Sequence, residues 1–393
     1  MPSIEKWSNF ALNEAKKSKA YRNFYHAKKA NKKTMSTYAF CFDKFIKFVQ
    51  EYYPEQELNY DKLILLDPNE ITEMVRDYTY QINEDMKGNS VQSYINPIKL
   101  FFGMNNKMLN TYILTNAVKK DNLVPGGAVA ATDDDVKNLL EATNSPMKKA
   151  LIHFITSTGI RPGALNDPVL RMKHLTPMPD GCKAIKVYDE SKEGYWGFLT
   201  PEATKYLLRY INFRKETGEI IDNESPLFRP LLNTKINHLK CSTARDMVTD
   251  LINKSGIVRI KSGNRYDKAA MYMFRKRFNT KLKMENSVNS NIAEKLMAHK
   301  RGLDGTYLAP TKEECFDEFK KAIFTLTVDP TERQKLEILK QKEEISELQR
   351  KDEENLELQD LVKAERTARL ESEREMKKTL ADIRDFKIKN FYK

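Results

Sequence analysis

The sequence has little cysteine, and what it has is scattered. Cys41, Cys182, Cys241 and Cys315 are its four cysteines, with no CxxC pair and no histidine cluster beside them. This spacing argues against a zinc site or a disulfide framework and fits a reduced, cytoplasmic setting. Long apolar runs are missing as well: no stretch of 18 such residues exists, so a membrane span is not expected. Met1-Pro-Ser-Ile-Glu has neither the basic segment nor the apolar core of a secretion signal. Glycine and proline are absent from the 63 residues after Pro330, about half of which are charged. No clustered carboxylates of a metal-dependent nuclease are present, so neither a metal nor a cofactor is expected.

What the chain does have is positive charge in one region. Its 393 residues carry a formal net charge of +12. Residues 331–393 hold 16 basic and 16 acidic side chains, so the whole excess lies in residues 1–330. A folded region that basic suggests a polyanionic partner, most simply nucleic acid. Residues 16–33, KKSKAYRNFYHAKKANKK, contain eight Lys/Arg and no acid, with Tyr21, Phe24 and Tyr25 between them. Two readings fit: a solvated helix whose aromatics dock on the next one, or a strip that neutralises phosphates and weakens with salt.

From Thr34 the pattern is helical. Tyr38, Cys41, Phe42, Phe45, Ile46 and Val49 recur at three- and four-residue spacings and define one apolar face. Asp67-Pro68 reads as a helix start, and a third helix with Val91, Tyr94, Ile95, Ile98, Phe101 and Phe102 inward follows Asn89. Pro125-Gly126-Gly127 marks a boundary. A helix then opens at Thr132-Asp-Asp-Asp and another ends at Gly159. Ala184–Tyr188 and Tyr195–Leu199 are β-prone stretches around a polar turn, the pattern of a hairpin. Thr200-Pro201 restarts helix.

The expected fold is therefore mainly α and two-domain. A basic segment (1–33) precedes a helical domain (34–120) and a linker (121–131). An α-helical domain with a small antiparallel sheet (132–327) follows, then a charged tail (328–393). The tail reads as a long helix, with a thin coiled-coil seam, or as a disordered polyampholyte.

Unusual groups are spread over the second domain. Arg161 follows a helix end between Gly159 and Pro162-Gly163. Arg275 sits beside the Phe274/Phe278 face of a helix, His299 stands at a helix end, and Tyr307 lies between Gly305 and Pro310. Each alone could be an ordinary structural residue. Their order is more specific. TGIRPGAL (158–165), SKEGYWGFLTPEA (191–203), YMFRKRFNT (272–280) and KLMAHKRGLDGTYLAP (295–310) resemble, in sequence and separation, the motifs of the tyrosine recombinase or integrase family, most closely its archaeal branch. The resemblance spans roughly residues 30–327.

The resemblance implies a SAM-like core-binding domain followed by the tyrosine recombinase catalytic fold. It further implies a DNA recombinase of a virus or mobile element, acting in the nucleoid as a homo-tetramer on paired sites in double-stranded DNA, with room for an accessory DNA-bending protein. Arg161 and Arg275 are then the two catalytic arginines, Lys192 the hairpin lysine that protonates the leaving 5′ oxygen, His299 the later histidine and Tyr307 the nucleophile. Tyr272 stands where the family has a histidine, Ala298 where it has a glycine, and Ala164 where it has an acid. The segment after the tyrosine often packs on a neighbouring subunit in this family, and Phe316, Phe319, Ile323 and Phe324 have the spacing for such a helix.

The chemistry is coherent. Two arginines placed against the non-bridging oxygens supply preorganised positive potential as a pentacovalent phosphorus forms. A tyrosyl hydroxyl, with a reference pKa of about 10, needs such neighbours or a base to attack. The resulting 3′-phosphotyrosine keeps the bond energy, so a second end can rejoin without ATP or metal. Lys276, Arg277, Lys281, Lys283, Lys300 and Arg301 are expected to contact the DNA backbone, and helix 89–103 to reach base edges. Among the histidines, His153 in LIHFI reads as core, while His174 reads as a phosphate contact or plain surface. A topoisomerase of type IB and a DNA-binding protein with a decayed site are the alternative readings.

Overall fold

Many helix starts follow local capping chemistry in the computed structural model, which describes residues 3–86, 88–120, 127, 129–189, 191–230, 237–262, 265–299 and 307–391. The chain divides into two units, residues 1–123 and 124–393. In the first, α1 (Ile4–Lys17), α2 (Lys19–Lys28), α3 (Lys32–Tyr52), α4 (Tyr60–Leu63), α5 (Pro68–Asp85), α6 (Gly88–Met104) and α7 (Thr111–Ala117) share one core. Asp67 accepts the Asn69 N–H and Pro68 opens α5, where the missing proline N–H costs nothing. Phe42, Phe45, Val49, Ile95, Ile98, Phe101 and Phe102 are buried, and the Phe42 and Phe101 rings lie 4.4 Å apart. The basic strip is built into this unit: Tyr21 and Phe24 of α2 are fully buried, so its aromatics dock in the core.

In the second unit, α8 (Asp133–Glu141) begins with a reciprocal capping box between Thr132 and Asp135. Helix α9 (Pro146–Thr158) is almost wholly buried and stops at Gly159. A three-stranded antiparallel sheet follows: β1 (Leu175–Pro177), β2 (Lys183–Val187) and β3 (Tyr195–Leu199), with Ile185 opposite Gly197. β2 and β3 are the hairpin that the two β-prone stretches predict; β1 is an addition. Ser157 ties α9 to β3, donating to the Phe198 carbonyl at 3.1 Å and accepting the Thr200 N–H at 2.8 Å. Then come α10 (Pro201–Glu216), α11 (Cys241–Lys254), a short ribbon of β4 (Lys261–Ser262) and β5 (Arg265–Tyr266), α12 (Tyr272–Met284) and α13 (Ser290–Leu296).

Helices α14 (Lys312–Lys321) and α15 (Ile323–Leu326) pack within their own unit: Phe316 and Phe319 are buried, with ring centroids 5.5 and 5.4 Å from that of Phe198. Phe324 stays 46% exposed. The tail is a single helix, α16 (Pro330–Phe391), about 93 Å long at 1.5 Å per residue. Leu336 packs against the core, whereas the apolar residues from Ile338 to Ile383 are exposed, and ion pairs along its surface such as Lys351–Glu347 (3.0 Å) and Lys363–Asp360 (3.1 Å) run with its turns. No helix among the described residues is long and apolar enough to cross a membrane.

Candidate active site

The site begins where α9 ends. Gly159 takes the left-handed conformation (φ 56°), and a Cβ there would come within 2.4 Å of the Phe278 ring. No side chain fits, so the turn is fixed from both sides. Two residues on, Arg161 is extended and followed by the Pro162–Leu165 turn. Its Nη2 donates to the Ala298 carbonyl at 2.9 Å. Arg275 on α12 closes the figure: Nη1 donates to the Gly159 carbonyl at 2.7 Å and Nη2 to the Met297 carbonyl at 2.5 Å. Two guanidinium groups thus clasp the 159–161 turn to the 297–299 turn.

The second turn is a Schellman motif at the end of α13. The His299 N–H donates to the Glu294 carbonyl at 2.9 Å and the Ala298 N–H to the Lys295 carbonyl at 2.8 Å. Ala298 holds the left-handed position of that motif, at φ 51°. The motif turns His299 back over Glu294. His299 Nδ1 lies 2.6 Å from the Glu294 carboxylate and Nε2 lies 3.0 Å from Arg275 Nη2. A guanidinium can only donate, so Nε2 is the acceptor and the ring proton sits on Nδ1, donated to Glu294.

Arg161, Lys192, Lys295 and His299 line a hollow of about 420 Å³, together with Glu193, Gly194, Tyr195 and Ala298. Lys192 is exposed in the turn between β2 and β3, which is shaped by Tyr188 at φ 53° and by the Gly194 N–H donating to the Ser191 carbonyl at 2.9 Å. Arg275 is buried behind His299, and that burial lowers its pKa. Burial pushes the Tyr195 hydroxyl up to about 12, against the pull of the nearby Arg275 charge. The Tyr195 oxygen lies close to that guanidinium without hydrogen-bond geometry. Burial raises Tyr188 too, with Arg161 pulling the other way. The backbone bonds of Arg161 and Arg275 do not exhaust five N–H donors apiece, which leaves the pair suited to a tetrahedral anion.

The structure therefore brings Arg161, Lys192, Arg275 and His299 together. Tyr272 opens α12 one turn before Arg275, half exposed and within electrostatic reach of its guanidinium. Tyr307 is 79% exposed and is not among the residues lining the hollow.

Two cation and histidine readings need correcting. Arg277 is no surface cation: it is 1% exposed, with Nη2 donating to Asp133 at 2.6 Å and to the Leu326 carbonyl at 3.2 Å. Lys281 joins it on Asp133 at 3.1 Å, and Lys283 bonds Glu294. His174 is buried, its Nδ1 accepting the Arg171 N–H at 3.0 Å. His153 is core, stacked 4.0 Å from Tyr206, and burial lowers its pKa to about 3. Lys300 and Arg301 lie outside the described residues. Glu294, Tyr188 and Tyr195 are the site neighbours that sequence reasoning missed. For Glu294 a signal existed: a glycine-type position before His299 implies a Schellman turn, which sets the residue five before the histidine against it.

No protein-family model and no curated protein matches the chain. Solved structures do resemble it, two recombinase complexes among them. The pre-cleavage complex of the XerH site-specific recombinase with its difH substrate is 17% identical, covering 71% of this chain and 77% of that chain at a TM-score of 0.51. The post-cleavage complex of XerH with a palindromic difH substrate is 18% identical, covering 75% and 81% at a TM-score of 0.52. At such identities the likeness is one of fold: over the matched residues this chain shares the fold of those recombinase structures.

Proposed function

We propose that the chain is a site-specific DNA recombinase that cuts and rejoins duplex DNA through a 3′-phosphotyrosyl intermediate, as the integrase of an archaeal virus or mobile element. The observation that carries this reading is the clasp: two arginines from distant segments meet across the 159–161 and 297–299 turns, beside a hollow that Lys192 and His299 also line. The scissile phosphate sits in that hollow with its non-bridging oxygens toward Arg161 and Arg275, whose donors strengthen as charge develops. Tyr307 Oη attacks phosphorus, its proton passing to a base for which the unprotonated Nε2 of His299 is suited once the Arg275 N–H it accepts turns to the phosphate. The 5′ oxygen departs with a proton from Lys192, and reversal by another 5′-hydroxyl completes exchange. Tyr272 donates a hydrogen bond to the phosphate. The exposure of Tyr307 leaves its hydroxyl accessible to DNA.

Partners are double-stranded DNA, gripped chiefly through its backbone, and further copies of the chain in a tetramer on two sites. The test uses nicked duplexes with a randomised central segment, incubated with the full chain and resolved under denaturing conditions. A covalent adduct on a recurring sequence, absent from Tyr307→Phe, is expected. Relaxation of supercoiled plasmid at any sequence would favour topoisomerase action instead, and binding without adduct would favour a DNA-binding role alone.

A further inference from the structure

The histidine of the hollow does not stand by itself. Its Nδ1 lies 2.6 Å from a Glu294 carboxylate oxygen, and Lys283 of α12 bonds the other oxygen. Among the described residues, Arg275 bonds the imidazole on one side and Glu294 on the other. A Schellman turn ordinarily brings two apolar side chains together at these positions. Here the pair is a carboxylate and an imidazole, which packing alone does not call for. Ala164, buried in the turn after Arg161, offers the site no carboxylate. Burial pulls Glu294 upward, but Lys283 and His299 outweigh it and hold the group below its usual range, so it is ionised at neutral pH.

We propose that Glu294 is a positioning residue for strand cleavage: it accepts a hydrogen bond from His299 Nδ1–H, fixes the ring, and leaves Nε2 unprotonated beside the phosphate hollow, where it accepts an Arg275 N–H. This rests on the reading of the hollow as the strand-cleavage site. Without the carboxylate, an imidazole in water favours the opposite tautomer, and the ring is free to turn about its χ2 angle. With it, Nε2 takes a proton or a hydrogen bond at the reacting centre, and the imidazolium that results is stabilised by the carboxylate behind it. Lys283 holds Glu294 in place and so belongs to the same support.

Two measurements on the full chain test this. Nitrogen-15 shifts of the histidine rings report the tautomer with no DNA present. Single-turnover cleavage of a duplex recovered from the randomised pool reports the rate, alongside affinity for the same duplex. We expect His299 as the Nδ1–H form in the wild type, and in Glu294→Ala a loss of cleavage of about tenfold or more with affinity unchanged. Glu294→Gln, which keeps an acceptor oxygen and the shape, should fall between the two; it carries the test should the alanine variant not fold. An Nε2–H ring in the wild type, or full cleavage rates in both variants, overturns the proposal while leaving strand cleavage intact. A wild type that forms no adduct on any duplex overturns the function itself.

Discussion

Helix α12 carries two arginines two residues apart, and they have opposite fates. Arg275 donates to the Gly159 and Met297 carbonyls and faces His299 Nε2, all uncharged acceptors. Arg277 donates to the Asp133 carboxylate, which also takes Lys281 and, at 2.7 Å, Arg333 from the start of α16. Both side chains are buried, yet among the described residues only Arg277 is bonded to a carboxylate. A guanidinium held by carbonyls is fixed in place with its charge uncompensated, ready for an anion. A guanidinium held by a carboxylate is a fastener. The second ties α8, α12 and α16 together; the first is the one that the proposed function assigns to the phosphate.

The comparison can be broken at either end. Replacing Arg275 by Ala should lower single-turnover cleavage by roughly 10²–10³-fold, the usual cost of one donor aimed at developing charge. Arg277→Met should do the reverse. It removes a buried partner of Asp133 and should destabilise the fold by about 3 kcal/mol in denaturant titration, while folded protein cleaves at nearly the wild-type rate. If Arg277→Met instead abolished cleavage without loss of stability, the division of labour would be wrong.

Acid sharpens the contrast. Burial raises the Asp133 pKa, but Arg333, Arg277 and Lys281 outweigh it and hold the carboxyl well below its usual range. A depressed carboxylate contributes stability that is present above its unfolded value, about pH 4, and is lost as pH falls toward the folded value. Asp133→Asn should therefore be less stable at pH 7, by about 1–2 kcal/mol after allowing for solvent at a side chain 29% exposed. The gap to wild type should narrow below pH 4. The smallest effect belongs to the clasp: Ala298→Gly relieves a left-handed alanine and should raise stability by about 0.5–1 kcal/mol in thermal unfolding. No gain would mean that the turn is not strained.

Much of the fold was legible because its signals are local. Asp67-Pro68, the Thr132 box, the stop at Gly159 and the β2–β3 hairpin each follow from a few adjacent residues. β1 was not, since three residues ending in proline form a strand only when a neighbour pairs with them. Nor was the burial of Arg277, because its partner lies 144 positions away at the start of α8. The clasp has the same character: Gly159, Met297 and Ala298 contribute carbonyls, and a carbonyl leaves no mark in a sequence. Motif order pointed to Arg161, Lys192, Arg275 and His299, but not to what holds them.

The most direct test is a structure of the full chain on a nicked duplex recovered from the randomised pool, with Tyr307 replaced by Phe to hold the uncut state. The account predicts the scissile phosphate in the hollow, a non-bridging oxygen within hydrogen-bond distance of both Arg161 and Arg275, and Lys192 beside the 5′ oxygen. A phosphate seated elsewhere, with the two guanidinium groups still turned only to the backbone, would contradict it.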